Sequence, residues 1–414
     1  MRKWTSVALA LGLACGPAKE AKFSVRASVE QLHVTHAEPG AVLEARTAAG
    51  VVATGTTDPL GSLMFRKLPA APGYVVRLKD SNPVEQSAPV TVMSIASSAP
   101  SPDLYTTQPL VPGLNYLKMR DGTTLSAFVT LPGTVKGFEF LCADFPIVCT
   151  PPYDGTALLA GMEGYATVSV NMRGTGCSGG AYDYFEQMQL LDGYDVIEIV
   201  AAQTWALHHH VGMVGLSYPG ISQLAEHDRL NPSIFAEKIN VPVFLTGSWQ
   251  DEQTGPYFFT LFDRFTSSPA ARMTATNGVH IDGLSPQVLA EWQVFLDLFV
   301  ARRVPVDSKL RNFAPFIFDS VYHSKMQLPA TRFTQYATLE EAIAAWKAEP
   351  KLRVIFESGA GDPSDWGAPK GTFEHSFAQW PASTAPLRLY FQPGGGLSAQ
   401  APTATEAAST FRLD

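Results

Sequence analysis

Three short runs, Val211–Leu216, Val241–Thr246 and Arg272–Thr276, most constrain what this chain can fold into. Each is followed closely by a different polar motif: Gly215-Leu216-Ser217-Tyr218-Pro219-Gly220, Trp249-Gln250-Asp251-Glu252 and Asn277-Gly278-Val279-His280. Apolar runs of this length, bounded by turn formers, read as strands buried on both faces, and such strands belong to parallel sheets covered by helices. Strand ends are rigid, and reactive loops project from them. A serine hydroxyl is a weak nucleophile until a histidine takes its proton, and the histidine needs a carboxylate to orient it. Ser217, His280 and Asp251 are therefore the candidate nucleophile, base and acid.

Serine, then acid, then histidine is the chain order of an α/β-hydrolase triad. The second glycine, Gly220, sits one place later than in Gly-x-Ser-x-Gly, and Ile221–Glu226 can continue as the helix that follows a nucleophile elbow. Glu252 and Asp282 compete for the acid role. Asp251 is preferred because it follows Val241–Thr246 after a short turn. An oxyanion hole needs donors aimed at the developing charge. The backbone N–H of Tyr218 is one, and Tyr153, in Pro152-Tyr153-Asp154-Gly155, is a candidate for the other. His208-His209-His210 is a tempting metal site, but adjacent side chains diverge in extended chain, so it reads as a solvated loop. No Cys-x-x-Cys or His-rich ligand spacing appears, so a structural zinc is not expected.

Composition limits the partners. The chain has 414 residues, 46% of them hydrophobic and 16% charged, with a formal net charge of -8. That describes a globular chain with a sizeable core, and no basic run with interleaved aromatics points to nucleic acid. The N-terminus reads as a targeting segment over residues 1–20. Arg2 and Lys3 precede the apolar Val7–Ala14, which is too short to span a bilayer. Leu11-Gly12-Leu13-Ala14-Cys15 resembles a bacterial lipobox with Cys15 as the acylated residue, although Gly12 stands where a larger apolar residue is usual. Simple secretion and lipid anchoring through Cys15 both remain open. Either makes the chain an exported one, periplasmic, extracellular or held at the cell envelope. Export makes Cys142, Cys149 and Cys177 disulfide-competent, and a local Cys142–Cys149 bridge is one pairing.

Residues 23–95 show short, often alternating strands separated by Pro39-Gly40, Ala49-Gly50, Asp58-Pro59-Leu60-Gly61 and Pro72-Gly73, which predicts a small β-sandwich. Residues 96–112, rich in Ser and Pro, read as a linker. Residues 113–386 alternate strand and helix patterns, as an α/β domain with a parallel sheet requires. Arg120-Asp121-Gly122 marks a hairpin, Ser285-Pro286 opens a helix burying Leu289, Trp292, Phe295, Leu296 and Phe299, and Thr338-x-x-Glu341 is a capping box. Residues 387–414 return to a β pattern.

Several of these segments resemble the cocaine esterase / X-Pro dipeptidyl-peptidase family of serine hydrolases. Met119-Arg120-Asp121-Gly122 with Thr124-Leu125 is similar to its opening hairpin. Gly164–Val168 and Arg173-Gly174-Thr175-Gly176-Cys177-Ser178-Gly179-Gly180 are similar to its fourth strand and following loop. Gly215-x-Ser217-Tyr218-x-Gly220 is similar to its nucleophile elbow. The resemblance implies ester or amide hydrolysis through a seryl acyl-enzyme, without metal or cofactor, with Tyr218 and Tyr153 at the oxyanion hole and a small ester or peptide as substrate. Two departures stand out. Leu224–Asn240 has no β run where family members place a strand and a helical cap. Leu387-Arg388-Leu389-Tyr390-Phe391 with Pro393-Gly394-Gly395 resembles only the first strand of the family's C-terminal jelly roll. Such a strand would expose Leu389, Phe391 and Phe411 and invite self-association. Two functions follow as expectations: an exported serine hydrolase with the cap largely absent, or an inactive or binding remnant of one.

Overall fold

The computed structural model describes residues 19–132, 155–184, 186–222, 236–380, 387–392 and 396–401. Cys15, Cys142, Cys149, Tyr153 and Phe411 lie outside them. The chain divides into two compact units: one comprises Met1–Ala236 and Pro286–Ala342, the other Glu237–Ser285 and Ile343–Asp414.

The first unit begins with nine short strands: β1 (Lys19–Glu20), β2 (Ser24–Ala27), β3 (Leu32–Thr35), β4 (Val42–Thr47), β5 (Gly50–Thr56), β6 (Leu63–Phe65), β7 (Ala71–Leu78), β8 (Glu85–Gln86) and β9 (Val90–Val92). They form one sheet in the order β2-β3-β6 and another in the order β1-β8-β7-β4-β5, with β9 on β7. The period-2 pattern is plain in β3 and β4, where Leu32, Val34, Leu43 and Ala45 are buried and their neighbours are not. Those residues share one core with Phe65, Tyr74 and Val76. At the Asp58–Gly61 turn, Asp58 Oδ1 accepts the Leu60 and Ser62 N–H groups. A Cβ on Gly61 would fall 1.9 Å from the Ala37 carbonyl oxygen, so only glycine fits there. Pro72-Gly73, read from sequence as a turn, instead lies inside β7, where the pairing with β9 shifts register between Ala71 and Tyr74. A Pro-Gly pair marks a break in the ladder, and here the break is absorbed by an irregularity rather than by a reversal.

The segment at 96–112 is docked. The Tyr105 hydroxyl donates to Asp195 at 3.0 Å, and the Leu110 N–H donates to Gln203 Oε1 at 2.9 Å with Leu110 buried. It carries a 3₁₀ turn at Ala96–Ser98 and one helical turn at Asp103–Thr106, so its Ser and Pro content marks short turns that pack.

Next come β10 (Gly113–Lys118) and β11 (Thr124–Thr130), the expected hairpin, and β12 (Thr167–Val170), antiparallel to β11. Helices α1 (Gly155–Met162) and α2 (Gln187–Ala201) belong to this region. Buried ion pairs join these elements: Arg173 donates to both Asp192 oxygens at 2.7 Å and to Asp121 at 3.1 Å, and Arg120 pairs with Asp195 at 2.7 Å. Ser28 donates to Asp121 at 2.6 Å and Gln31 to Glu186 at 2.9 Å, so the N-terminal strands share polar contacts with this part of their unit.

Val211–Leu216, predicted as a buried strand, adopts no regular secondary structure, bends at Leu216, has no fully buried residue and pairs with no strand among the described residues. Strand propensity reflects fit to a neighbour, and an apolar run alone does not supply one. A cavity of about 1120 Å³ lies between this run and β12, with Val168, Val170, Val200, Val211 and Val214 in its wall.

The helix opening at Pro286 runs to Phe295 and continues as a π-turn over Leu296–Val300. Leu289 and Leu296 are buried as predicted, whereas Trp292, Phe295 and Phe299 are only partly so. Glu291 and Asp297 are buried instead. Asp297 takes the Tyr165 hydroxyl at 2.7 Å and the Arg303 guanidinium at 2.7 Å, and Arg332 donates to Glu291 at 2.6 Å. Buried carboxylates are tolerated when paired with cations and hydrogen-bond donors.

In the second unit, β13 (Val243–Ser248), β14 (Ala271–Thr276) and β15 (Leu352–Phe356) are parallel, and β16 (Phe373–Phe377) closes the sheet antiparallel to β15. The 3₁₀ segment Gly255–Arg264 supplies Phe259 and Phe262 to a core with Met273, Ala275, Leu352 and Val354. At Tyr390–Phe391 and Leu397–Ser398 a two-stranded hairpin, β17–β18, leaves Phe391 82% exposed.

Candidate functional site

Ser217 sits in the first unit with φ +62°, a left-handed conformation that non-glycine residues seldom adopt. Glycines on either side make that turn possible. A Cβ on Gly215 would lie 2.5 Å from the Pro219 carbonyl carbon, and one on Gly220 would lie 2.7 Å from the Gly215 carbonyl oxygen. The two glycines thus close the turn against each other, which accounts for the displaced second glycine of the motif. The Gly220 N–H donates to the Ser217 carbonyl at 2.9 Å, and the chain enters a short helix at Tyr218–Ser222. A strained residue at the tip of a turn is a recurrent device for presenting a side chain. The Tyr218 ring lies 5.2 Å from that of Tyr184, and its hydroxyl donates to Gln189 Oε1 at 3.3 Å.

The second unit holds Asp251 and His280, and sheet register brings them together. Ser248 is paired with Thr276 at the carboxyl ends of β13 and β14, so the loops beyond them start side by side. The Trp249 N–H donates to the Thr276 carbonyl at 2.9 Å and the Gln250 N–H to the Gly278 carbonyl at 3.0 Å. Asp251 Oδ2 then stands 2.7 Å from His280 Nδ1. Its Oδ1 accepts the Gln253 N–H at 2.8 Å and the Thr254 N–H at 2.7 Å. Burial would raise the Asp251 carboxyl, but the Thr254 N–H, His280 and the Gln253 N–H outweigh it and hold the group below its ordinary range. Asp251 is thereby an anion that fixes Nδ1 as the protonated nitrogen, which leaves Nε2 the acceptor. His280 Nε2 is buried and has no hydrogen-bond partner among the described residues.

The two competing carboxylates do other things. Glu252 Oε2 accepts the His280 backbone N–H at 3.0 Å, which draws its carboxyl below the usual range. Asp282 is buried and accepts the Ser358 hydroxyl at 2.9 Å and the Val279 N–H at 3.3 Å. Burial raises its carboxyl, and those two donors offset the rise only in part. Both carboxylates were visible in the sequence as rivals for the imidazole. Their actual partners, backbone groups of the base loop, have no sequence signature. Ser358 carried no signal at all, and neither did Gln189.

The histidine triplet does not gather ligands. His209 Nδ1 is 2.7 Å from the Ala201 carbonyl oxygen, and the His208 and His210 rings are 6.4 Å apart. Among the described residues no group of three or more His, Cys, Asp or Glu is placed to hold a metal ion, and no helix is long and apolar enough to cross a membrane. Cys177 is a free, exposed thiol.

Residues 96–234 match the model of the X-Pro dipeptidyl-peptidase (S15) family. This is the family its motifs resemble. The S15-like segment contains the opening hairpin, the Arg173–Gly180 loop and the Ser217 elbow. Among solved structures, the chain is similar to an aminopeptidase from the marine sediment archaeon Thaumarchaeota archaeon, at 13% identity and a TM-score of 0.37, over 75% of this chain and 65% of that one. It is also similar to a CocE/NonD family hydrolase from Staphylococcus aureus, at 10% identity and a TM-score of 0.39, over 90% of this chain and 64% of that one. The chain therefore spans somewhat less than two thirds of the length of either. No curated protein gives a significant match.

Proposed function

We propose that this chain is an exported serine hydrolase that cleaves an ester, with an X-Pro amide as the second substrate class to be tested. The observation that carries the proposal is the Asp251–His280 contact at 2.7 Å with Nε2 left unpartnered. The strained Ser217 elbow and the S15-family match over 96–234 support it. In the proposed reaction His280 Nε2 takes the Ser217 hydroxyl proton as Oγ bonds to the substrate carbonyl carbon. The oxyanion is stabilised by the Tyr218 N–H, with Tyr153 as the second donor. His280 then passes the proton to the leaving alcohol, and water, activated the same way, releases the acid and regenerates Ser217. Asp251 stays ionised throughout and stabilises the imidazolium.

We read the N-terminal sheets as an appended β-sandwich, residues 113–386 as the hydrolase domain, and 387–414 as the start of a jelly-roll-like segment. Residues 1–20 are taken as an export signal, with Cys15 lipidation as one route to the envelope. Treatment with a serine-directed fluorophosphonate should label the wild-type protein and leave Ser217→Ala unlabelled. Equal labelling of the two would remove Ser217 from the role. The rival reading, a non-hydrolytic remnant, draws on the unpaired run before the elbow. It is favoured if the wild type neither labels nor turns over activated esters or X-Pro anilides.

A further inference from the structure

Asp282 has no part in the proton transfers proposed above, yet it is buried, carries no cationic partner among the described residues, and lies in the base loop itself. A carboxylate in that setting is costly unless its hydrogen bonds repay it. Its acceptors are used in a particular way. One oxygen, Oδ2, takes both the Val279 N–H, just before His280, and the hydroxyl of Ser358, which follows β15. The same oxygen lies against the backbone of Gly278, where a Cβ would come within 1.9 Å of it. The Asp282 N–H in turn donates to the Val279 carbonyl at 3.0 Å, so residues 278–282 are wrapped around one carboxylate. On the other side the loop is tied to the acid loop by the Gly278 carbonyl and by Glu252. A helix-capping aspartate explains the Val279 contact alone. It does not explain a hydroxyl brought in from a different strand of the sheet.

We infer that Asp282, locked by Ser358, is a positioning residue that sets where the His280 imidazole stands relative to Asp251. The inference rests on His280 acting as the proposed base, but its first readout does not depend on activity. In protein labelled with [¹⁵N]histidine, the proton held between His280 Nδ1 and Asp251 should give a far-downfield resonance that His280→Ala removes. In Ser358→Ala and Asp282→Ala that resonance should broaden or vanish, while thermal unfolding still reports a folded chain. Ser358→Thr, which keeps the hydroxyl, should restore it. If wild type hydrolyses an activated ester, the two disruptive variants should lose kcat by about 10²-fold, the cost of a misplacement near 1 Å, with KM little changed. Gly278→Ala, which displaces the carboxylate without altering its charge, should mimic them. An unchanged resonance in both Ser358→Ala and Asp282→Ala would overturn the inference. A wild type inactive and unlabelled at Ser217, yet losing the resonance in both variants, would sink the hydrolase proposal and leave the positioning role standing.

Discussion

Replacing Asp251 by Asn tests the proposed chemistry most sharply, because the surroundings dictate how the amide must sit. Asp251 Oδ1 accepts two backbone N–H groups, from Gln253 and Thr254, at 2.8 and 2.7 Å. An Asn must keep its carbonyl oxygen there. Turning its NH₂ toward two N–H donors would strand both, at about 1–3 kcal/mol each. The NH₂ therefore faces His280 Nδ1, and only an Nδ1 acceptor can meet it. The imidazole is forced into the tautomer that carries its proton on Nε2, the nitrogen that has to receive the serine proton. Shape and loop contacts survive while the base is disabled. A triad that loses its acid in this way drops kcat by about 10⁴, equivalent to about 5 kcal/mol of transition-state stabilisation. The assay is steady-state hydrolysis of an activated acyl ester at neutral pH, with thermal unfolding as the check on folding. Glu252→Gln serves as the control: its side chain accepts the backbone N–H groups of His280 and of Glu252 itself, which an amide oxygen can still do. An Asp251→Asn variant within tenfold of wild type, or a Glu252→Gln variant equally impaired, would refute the assignment of the acid.

The elbow should be intolerant of a single methyl: Gly215→Ala and Gly220→Ala, with Cβ positions 2.5 and 2.7 Å from backbone, should abolish fluorophosphonate labelling while circular dichroism changes little. Asp121 should contribute to acid sensitivity. Burial alone would raise its carboxyl, but Arg173 and Ser28 hold it down at about 2 from an ordinary 3.8. A carboxyl depressed in the folded state stabilises above its unfolded value, and the contribution is lost as pH falls from 3.8 toward 2. Asp121→Asn should therefore cost about 2 kcal/mol in urea unfolding at pH 7, a penalty that shrinks over that window. At the C-terminal hairpin, Leu389 is 45% and Phe391 82% exposed, and sedimentation should show less self-association after Phe391→Lys. Because the 96–112 segment is hydrogen-bonded through Tyr105 and Leu110, limited proteolysis should spare it until the unit unfolds.

Sequence pattern made the local parts of this structure legible. The hairpin at Arg120-Asp121-Gly122, the alternation in β3 and β4, the strands before Asp251 and His280 and the Thr338–Glu341 capping box each depend on residues close in the chain. Candidate chemistry was legible for the same reason, since adjacent parallel strands place their following loops side by side and Ser248 pairs with Thr276. What escaped was set by distant partners. Trp292, Phe295 and Phe299 fit a buried helical stripe, yet Glu291 and Asp297 took buried positions because Arg332, Arg303 and Tyr165 come from elsewhere to neutralise them. Val211–Leu216 looks as strand-like as Val243–Ser248, but only the latter finds a described neighbour, because a ladder is a property of two segments.

The same asymmetry explains how Glu252 and Asp282 were placed. From spacing alone, three carboxylates near one imidazole are rivals. Once the backbone is fixed they divide by whether they reach the ring: Asp251 meets the ring nitrogen, while Glu252 accepts the His280 main-chain N–H and Asp282 accepts the Val279 N–H and the Ser358 hydroxyl. Each is drawn to the nearest unpaired donor, and the base loop, turning sharply through Gly278, offers several. Main-chain N–H groups of the loop thus engage the other two carboxylates, and one is left in contact with the ring. That division predicts a hierarchy, with ring chemistry failing in Asp251 variants and ring placement failing in Asp282 variants, and the two losses should not add in the double variant because both act through a single imidazole.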